Sequence, residues 1–145
     1  MVFAVSAFAQ KISVQELSKI INNDNVVVID AIKNSDYMKT HIKGAINLDV
    51  TTLCNNSPVE GILKSDSELA SVFGKHGVSQ NKKIVVYCET GVRAGRMYWI
   101  LKYLGAKDVK MLDGQLDGWF KKRKPITKTP TNPKATTFTP AVNKG

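Results

Sequence analysis

The chain has 145 residues, a formal net charge of +9 and 43% hydrophobic residues. A chain of this length folds as one domain with its own core and needs neither a metal ion nor disulfides for stability. No apolar run reaches the roughly 20 residues of a membrane-spanning helix, so no membrane contact is expected of the mature protein. The two cysteines, Cys54 in a loop-like segment and Cys88 at a strand end, are expected to be free thiols.

The N-terminus combines a short apolar segment with Ala7, Phe8 and Ala9, which have the small-x-small form of a signal-peptidase site. No basic region precedes this segment. We therefore interpret residues 1–11 as the remnant of a secretory signal peptide and expect a periplasmic or secreted protein. The alternative is an apolar arm or strand packed on the core, in which case the protein is cytoplasmic.

Helical and strand patterns alternate along residues 12–124. Ser13 and Glu16 form a capping box that opens a first helix, and the apolar run at 25–30 predicts a strand buried on both faces. The further predicted elements are a helical turn capped by Ser35 or Asp36, a strand at 45–47, a helix from Ser65 closed by Gly77, a strand at 84–87, a helix at 94–104, a strand at 108–112 and a short helix stopped by Pro125. This order predicts an α/β fold with a parallel sheet and helices on both of its faces.

The helix at 94–104 supplies much of the predicted core. Its apolar residues at helical spacing are Met97, Ile100, Leu101 and Leu104, with the aromatic residues Trp99 and Tyr103 near them. The earlier helix carries a stripe of Leu69, Val72 and Phe73, and Trp119 is also expected in the core.

Residues 125–145 are rich in proline, threonine and lysine and show no periodicity. We interpret them as an extended tail or linker, with Phe138 and Val142 as the side chains that could attach it to a surface. Much of the positive charge lies in or just before this tail, and such charge attracts nucleic acids or draws small anions into clefts. Aromatic residues are not interleaved with the charges, and no nucleic-acid partner is expected.

The segment around Cys88 carries the most chemical information. A β-branched run ends on Cys88, and four residues separate it from Arg93, near which a helical pattern begins. These four residues are Glu89, Thr90, Gly91 and Val92. A thiolate is a better nucleophile than a thiol, and the amino end of a helix and nearby cations both favour the thiolate. Since Gly91 suits a positive φ, we expect a curled loop whose N–H groups point at Cys88.

The interval between cysteine and arginine limits what such a loop holds. Phosphatases built in this way have five intervening residues and hold a tetrahedral phosphate. The four residues found here leave a smaller ring, which fits a single sulfur atom on the cysteine better. A cysteine phosphatase or arsenate reductase is therefore a less favoured reading, and a non-catalytic binding or regulatory module is a second alternative.

Residues 12–124 resemble the single-domain rhodaneses, a family of sulfurtransferases. Three motifs occur in the family's order: VVVID with SDYMKTHIKGAINL (26–30 and 35–48), VVYCETGVRA (85–94) and VKMLDGQLDGW (109–119). The resemblance implies a rhodanese-like parallel sheet and the transfer of sulfane sulfur through a persulfide on Cys88, the catalytic residue. Substrate binding would fall to Glu89, Thr90, Gly91, Val92 and Arg93. In the first motif, Asp30 and His41 are assigned structural hydrogen bonds rather than catalysis.

The resemblance also implies the partners. They are a small anionic sulfur donor (thiosulfate, polysulfide or a persulfide) and a thiol or cyanide acceptor, with a protein acceptor also possible. No metal ion and no organic cofactor are implied. The oligomeric state is not predicted. Three positions depart from the family pattern. Ile32 occupies the place of a common arginine, Gln115 that of the second of two glycines, and Glu89 is acidic where loops that prefer thiosulfate are often basic.

Overall fold

The computed structural model describes residues 10–55 and 62–142. In chain order the elements are β1 (Lys11–Ile12), α1 (Val14–Ile20), β2 (Val26–Asp30), α2 (Asn34–Tyr37), β3 (His41–Ile42), β4 (Ile46–Asn47), a 3-10 turn (Val50–Leu53), β5 (Cys54–Asn55), β6 (Ile62–Leu63), α3 (Asp66–Lys75), β7 (Lys83–Tyr87), α4 (Val92–Tyr103), β8 (Asp108–Leu112), α5 (Gln115–Lys121) and β9 (Ile126–Thr127). The proposed signal remnant lies outside the described residues up to position 9. Lys11, which was assigned to that remnant, belongs to β1.

The main sheet has five strands in the order β1-β8-β7-β2-β4, and every neighbouring pair is parallel. Side chains of β7 alternate between two cores: Ile84 and Val86 pack on one face, and Val85 and Tyr87 on the other. The first face is covered by α3 and α4 and the second by α1 and α5. This arrangement confirms the predicted parallel sheet with helices on both faces, because a central strand buried on both sides reads as a continuous apolar run.

Of the two predicted helix caps, that of α1 is confirmed and that of α2 is wrong. The capping box is present, since the N–H of Glu16 donates to the Ser13 hydroxyl at 3.1 Å. The predicted cap of α2 was wrong: Ser35 and Asp36 lie inside this helix, and the cap is Lys33, whose side chain makes no capping hydrogen bond. Asp36 instead pairs with Lys39 at 3.3 Å, a use for its carboxylate that competes with capping.

The core prediction for α4 holds for its apolar stripe but not for its tryptophan. Met97, Ile100 and Leu101 are fully buried, whereas Trp99 is 57% exposed and stacks on Tyr103 with ring centroids 5.5 Å apart. Residues two apart on a helix face different directions, so Trp99 lies off the face that Met97 turns to the core. Helix α4 also begins at Val92, two residues before the predicted start.

Residues 125–142, here called the C-terminal strap, run across the domain in an extended form. Strand β9 pairs with β3, the N–H of Thr136 donates to the Gly74 carbonyl, and the N–H of Ala141 donates to the Leu104 carbonyl, both at 2.8 Å. Phe138 is only 4% exposed, and its ring lies 5.5 Å from that of Phe73. The strap is therefore part of the folded domain and not a free linker after residue 124.

Among residues 10–55 and 62–142, no helix has the length and hydrophobicity that crossing a bilayer demands.

Candidate active site

Cys88 follows the last residue of β7, at the carboxyl edge of the parallel sheet, where open α/β sheets bind their ligands. Cys88 is 1% exposed. Two backbone N–H groups donate to its Sγ atom, from Gly91 at 3.0 Å and from Ala94 at 3.4 Å. The predicted loop geometry is thus present. Donors that converge on one sulfur atom stabilise negative charge there, whether it resides on a thiolate or on a persulfide.

Gly91 is the residue that turns the loop towards the sulfur. Its φ is +94°, a conformation that side chains with a Cβ rarely adopt, and its carbonyl accepts the N–H of Gly95 at 2.8 Å to open α4. This single glycine therefore both turns the loop and begins the helix. The N-terminus of α4 consequently lies directly against the Cys88 side chain.

The other predicted binding residues surround the mouth of the loop. Glu89 and Thr90 are exposed, and the side chain of Val92 is exposed as well, at 77%. Thr90 accepts the N–H of Val92 on its hydroxyl at 3.5 Å, which holds the outer part of the loop. The exposed side chains of the loop thus comprise a carboxylate, a hydroxyl and an aliphatic group.

Arg93 lies in the first turn of α4 but does not stand alone beside the loop. Its Nη1 atom is 3.3 Å from Oδ1 of Asp49, and the two side chains are 33% and 19% exposed. Asp49 in turn accepts the backbone N–H of Thr51 and caps the 3-10 turn. An anion that binds Arg93 must therefore share this guanidinium with Asp49, which sequence reasoning did not identify.

Asp30 ends β2 beside Tyr87, its register partner on β7. One carboxylate oxygen accepts the N–H of Ile32 at 3.1 Å, and the other, Oδ2, has no hydrogen-bond partner among the described residues. Burial raises the pKa of Asp30 to about 6, while the nearby Tyr87 hydroxyl and the Ile32 N–H act in the opposite direction. Burial likewise raises the pKa of Tyr87, whose hydroxyl accepts the N–H of Ile42 at 3.0 Å.

His41 makes structural contacts, as its assigned role requires. It is fully buried, its ring stacks on Tyr37 at a centroid distance of 3.6 Å, and its Nδ1 and Nε2 atoms lie 2.7 Å and 2.9 Å from the carbonyl oxygens of Tyr37 and Thr129. Thr129 belongs to the C-terminal strap. His41 therefore fastens the strap to the first motif, and both of its ring nitrogens face backbone carbonyls outside the cysteine loop.

Two further contacts near the loop were not anticipated. Gln115, noted in the sequence only as a departure from two glycines, accepts the N–H of Cys88 on its Oε1 atom at 2.9 Å. Cys54, which is a free thiol as expected, accepts a hydrogen bond on its Sγ atom from Nη2 of Arg96 at 3.2 Å. The position of Gln115 in the third motif could have indicated this contact, because the motif follows β8, β8 pairs with β7, and the carboxyl ends of both strands lie at the same edge of the sheet as Cys88.

Within the described part of the chain, no cluster of three or more histidine, cysteine, aspartate or glutamate side chains could hold a metal ion.

A parallel α/β domain whose central strand leads through a cysteine loop into a helix defines a recognisable class of protein. The family profile described as "Rhodanese-like domain" matches residues 13–122. The chain therefore belongs to the rhodanese-like domain family, in agreement with the resemblance of its three motifs.

Named relatives give the same picture. The chain is 28% identical to thiosulfate sulfurtransferase of Bos taurus over 113 residues, which cover 75% of this chain and 38% of that protein. It is 30% identical to 3-mercaptopyruvate sulfurtransferase of Escherichia coli K12 over 115 residues, which cover 71% of this chain and 41% of that one. The crystal structure of SseA from Escherichia coli, a 3-mercaptopyruvate sulfotransferase, matches with a TM-score of 0.85 and 26% identity over 93% of this chain and 56% of that one. The chain thus spans about two fifths of the length of these two curated relatives.

Proposed function

We propose that this domain is a sulfurtransferase that carries sulfane sulfur as a persulfide on Cys88. The observation that carries the proposal is the pair of N–H groups, from Gly91 and Ala94, that donate to the Cys88 sulfur. Family membership and the names of the relatives support it. In the first step the Cys88 thiolate attacks the outer sulfur of the donor, the S–S bond of the donor breaks, and the leaving group departs with the electron pair.

The second step reverses the first with a new partner. A nucleophilic acceptor, such as cyanide or a thiolate, attacks the outer sulfur of the persulfide, and Cys88 leaves as a thiolate. No external oxidant or reductant is consumed, because the transferred sulfur atom has the same oxidation state in the donor, in the persulfide and in the product. The outer sulfur lies about 2 Å beyond Sγ, so transfer takes place nearer the mouth of the loop than the buried Cys88 itself.

The charges at the mouth favour some donors over others. Glu89 adjoins the nucleophile and repels a dianion such as thiosulfate, and Asp49 competes for the Arg93 guanidinium. A persulfide carrier or a protein persulfide, whose reacting sulfur bears at most one negative charge, suits this mouth better than thiosulfate, and polysulfide, itself an anion, is the second small donor to be tested. A periplasmic or secreted location rests on the signal-like N-terminus alone and is tested by cell fractionation.

The test is the intact mass of the purified protein after incubation with thiosulfate or, separately, with polysulfide, followed by cyanide. We expect the wild type and Cys54→Ser to gain one sulfur atom that cyanide removes, and Cys88→Ser to gain none. If neither donor adds sulfur to the wild type, the transferase proposal is wrong and a binding module is the better reading. Hydrolysis of an aryl phosphate that depends on Cys88 would instead indicate a phosphatase.

A further inference from the structure

Gln115 adopts a backbone conformation that is unusual for its residue type. Its φ is +56°, in the left-handed region, and it directly follows Gly114, whose φ is +82°. Glycine occupies such positions without strain, whereas a residue with a Cβ does so only when its surroundings hold it there. A glutamine here therefore calls for a compensating contact through its side chain.

The Gln115 side chain makes two hydrogen bonds that fix its orientation. Its Oε1 atom accepts the N–H of Cys88 at 2.9 Å, and its Nε2 atom donates to the Leu112 carbonyl at 3.0 Å. Because the Cys88 N–H is only a donor and the Leu112 carbonyl only an acceptor, an exchanged amide would lose both bonds. The carboxamide therefore bridges the end of β8 and the first residue after β7.

The backbone of Cys88 is held on its other side as well. Its carbonyl accepts the N–H of Leu116 at 3.1 Å, so both polar backbone groups of Cys88 bind the turn that opens α5. The Gln115 side chain also lies near Gly91, since a Cβ added there would stand 3.6 Å from Nε2. It thus bonds the backbone of the cysteine and lies close to the glycine whose N–H donates to the cysteine sulfur.

We propose that Gln115 is a positioning residue for Cys88. Its Oε1 atom fixes the Cys88 backbone and its amide supports Gly91, so that the N–H groups of Gly91 and Ala94 converge on Sγ. Gln115 does not touch the sulfur, and the Cys88 N–H that it engages is removed from the set of donors available to a ligand. Without this acceptor, the Cys88 N–H is left unpaired in a buried place, and the loop shifts to satisfy it. The proposal deepens the proposed function by adding a residue to the same site.

The experiment measures the reactivity of Cys88 directly, so it does not depend on sulfur transfer. Each variant is alkylated with limiting iodoacetamide at pH 7, and peptide mass spectrometry gives the ratio of modified Cys88 to modified Cys54 in the same sample. Gln115→Gly removes the side chain but suits the positive φ, and Gln115→Met keeps the length but lacks the acceptor. Gln80→Ala is the matched control, because Gln80 accepts the N–H of Thr139 at 2.9 Å in the same manner but outside the loop.

We expect the ratio to fall at least fivefold in Gln115→Gly and Gln115→Met and to stay unchanged in Gln80→Ala, at a temperature well below the Tm of each variant. Persulfide formation with polysulfide should fall in parallel. A ratio in Gln115→Met that equals or exceeds the wild-type ratio overturns the proposal, since the hydrogen bond is then dispensable. A fall of the same size in Gln80→Ala also overturns it, because the effect then follows from general destabilisation. Failure of the wild type to take up sulfur overturns the proposed function alone.

Discussion

The buried carboxyl group of Asp30 stands two residues before Ile32, where the family pattern leads one to expect an arginine. No guanidinium from that position compensates for burial, one carboxylate oxygen has no described partner, and Glu89 adds a repulsive charge nearby. These conditions disfavour the ionised form, which explains the raised pKa of about 6. Burial is the main cause of the raised pKa, and the charge of Glu89 adds to it.

This pKa makes stability depend on pH. The protonated carboxyl stabilises the fold fully below pH 3.8, the value of an unperturbed aspartate, and this contribution is lost as the pH rises through about 6. The difference corresponds to about 3 kcal/mol. In urea unfolding, Asp30→Asn should therefore gain stability relative to the wild type as the pH rises from 4 to 8. Asp24→Asn, at an exposed position, should follow the wild type at every pH; parallel curves for all three proteins would contradict the assignment.

Glu89 is the residue whose charge should set the choice of donor. Glu89→Gln removes the repulsion of dianions, and we expect kcat/KM for thiosulfate to rise severalfold while the value for a singly charged alkyl persulfide changes less. The gain should shrink as salt is added, because ions screen charges at an exposed site. Steady-state assays at low and high ionic strength measure this. A gain that is independent of salt would point to a change of shape instead of charge.

Among single residues, the sequence predicted those whose role is local. Cys88, Gly91 and the loop between them were identified because a strand, a turn and a helix follow one another within ten positions. Gln115 and Asp49 were missed, because they reach Cys88 and Arg93 from 27 and 44 residues away. Contacts of this kind depend on how the strands are ordered in the sheet, which no short motif reports.

At the scale of elements, helix α4 connects the active loop to the C-terminal strap. Its start was predicted two residues late, because the sequence does not reveal that the Gly91 carbonyl already accepts a helical hydrogen bond. Its far end was predicted at residue 104; the helix ends at Tyr103, and Gly105 just beyond it has a positive φ of +91°. The same glycine also lies against the strap, since a Cβ placed there would clash with the Ala141 carbonyl oxygen.

Two glycines at this helix give a matched pair of substitutions. Gly95 lies inside α4, and a Cβ at this position meets nothing within 4 Å, so Gly95→Ala should stabilise the protein by about 0.5–1 kcal/mol. Gly105→Ala should destabilise it by about 1–3 kcal/mol, because the added Cβ meets the strap and the positive φ is strained. Urea unfolding measures both changes. Equal effects of the two substitutions would contradict the proposed role of Gly105.

At the scale of the whole molecule, the strap turns a sheet with two helical layers into a closed domain. Its composition predicted an extended tail or linker, since it is rich in proline and threonine and shows no periodicity, and Phe138 and Val142 were named as the side chains that could attach it. What the composition does not reveal is that Gly74, Gly77 and Gly105 leave room for its backbone, each close to a strap carbonyl. The strap contributes to the free energy of unfolding mainly through Phe138, the one large side chain that it buries.

Phe138→Ala should accordingly lower the free energy of unfolding by about 3–5 kcal/mol, as truncation of a buried phenylalanine does. Phe120→Ala is the control, because Phe120 is 59% exposed and its loss should change stability by no more than about 0.5 kcal/mol. The Cys88-to-Cys54 alkylation ratio should be unchanged in both variants below their melting temperatures. If Phe138→Ala unfolds as the wild type does, the strap contributes nothing to the core.

The hydrogen bond between Ala141 and Leu104 determines where a label or a solid support can be attached to the protein. It fastens the strap at the carboxyl end of α4, whereas Cys88 lies at the amino end of the same helix. The helix has 12 residues and is therefore about 18 Å long. A dye, affinity tag or resin attached after Val142 is tethered at the end of the domain remote from the cysteine, and an immobilised molecule keeps its reactive loop open to bulk solution.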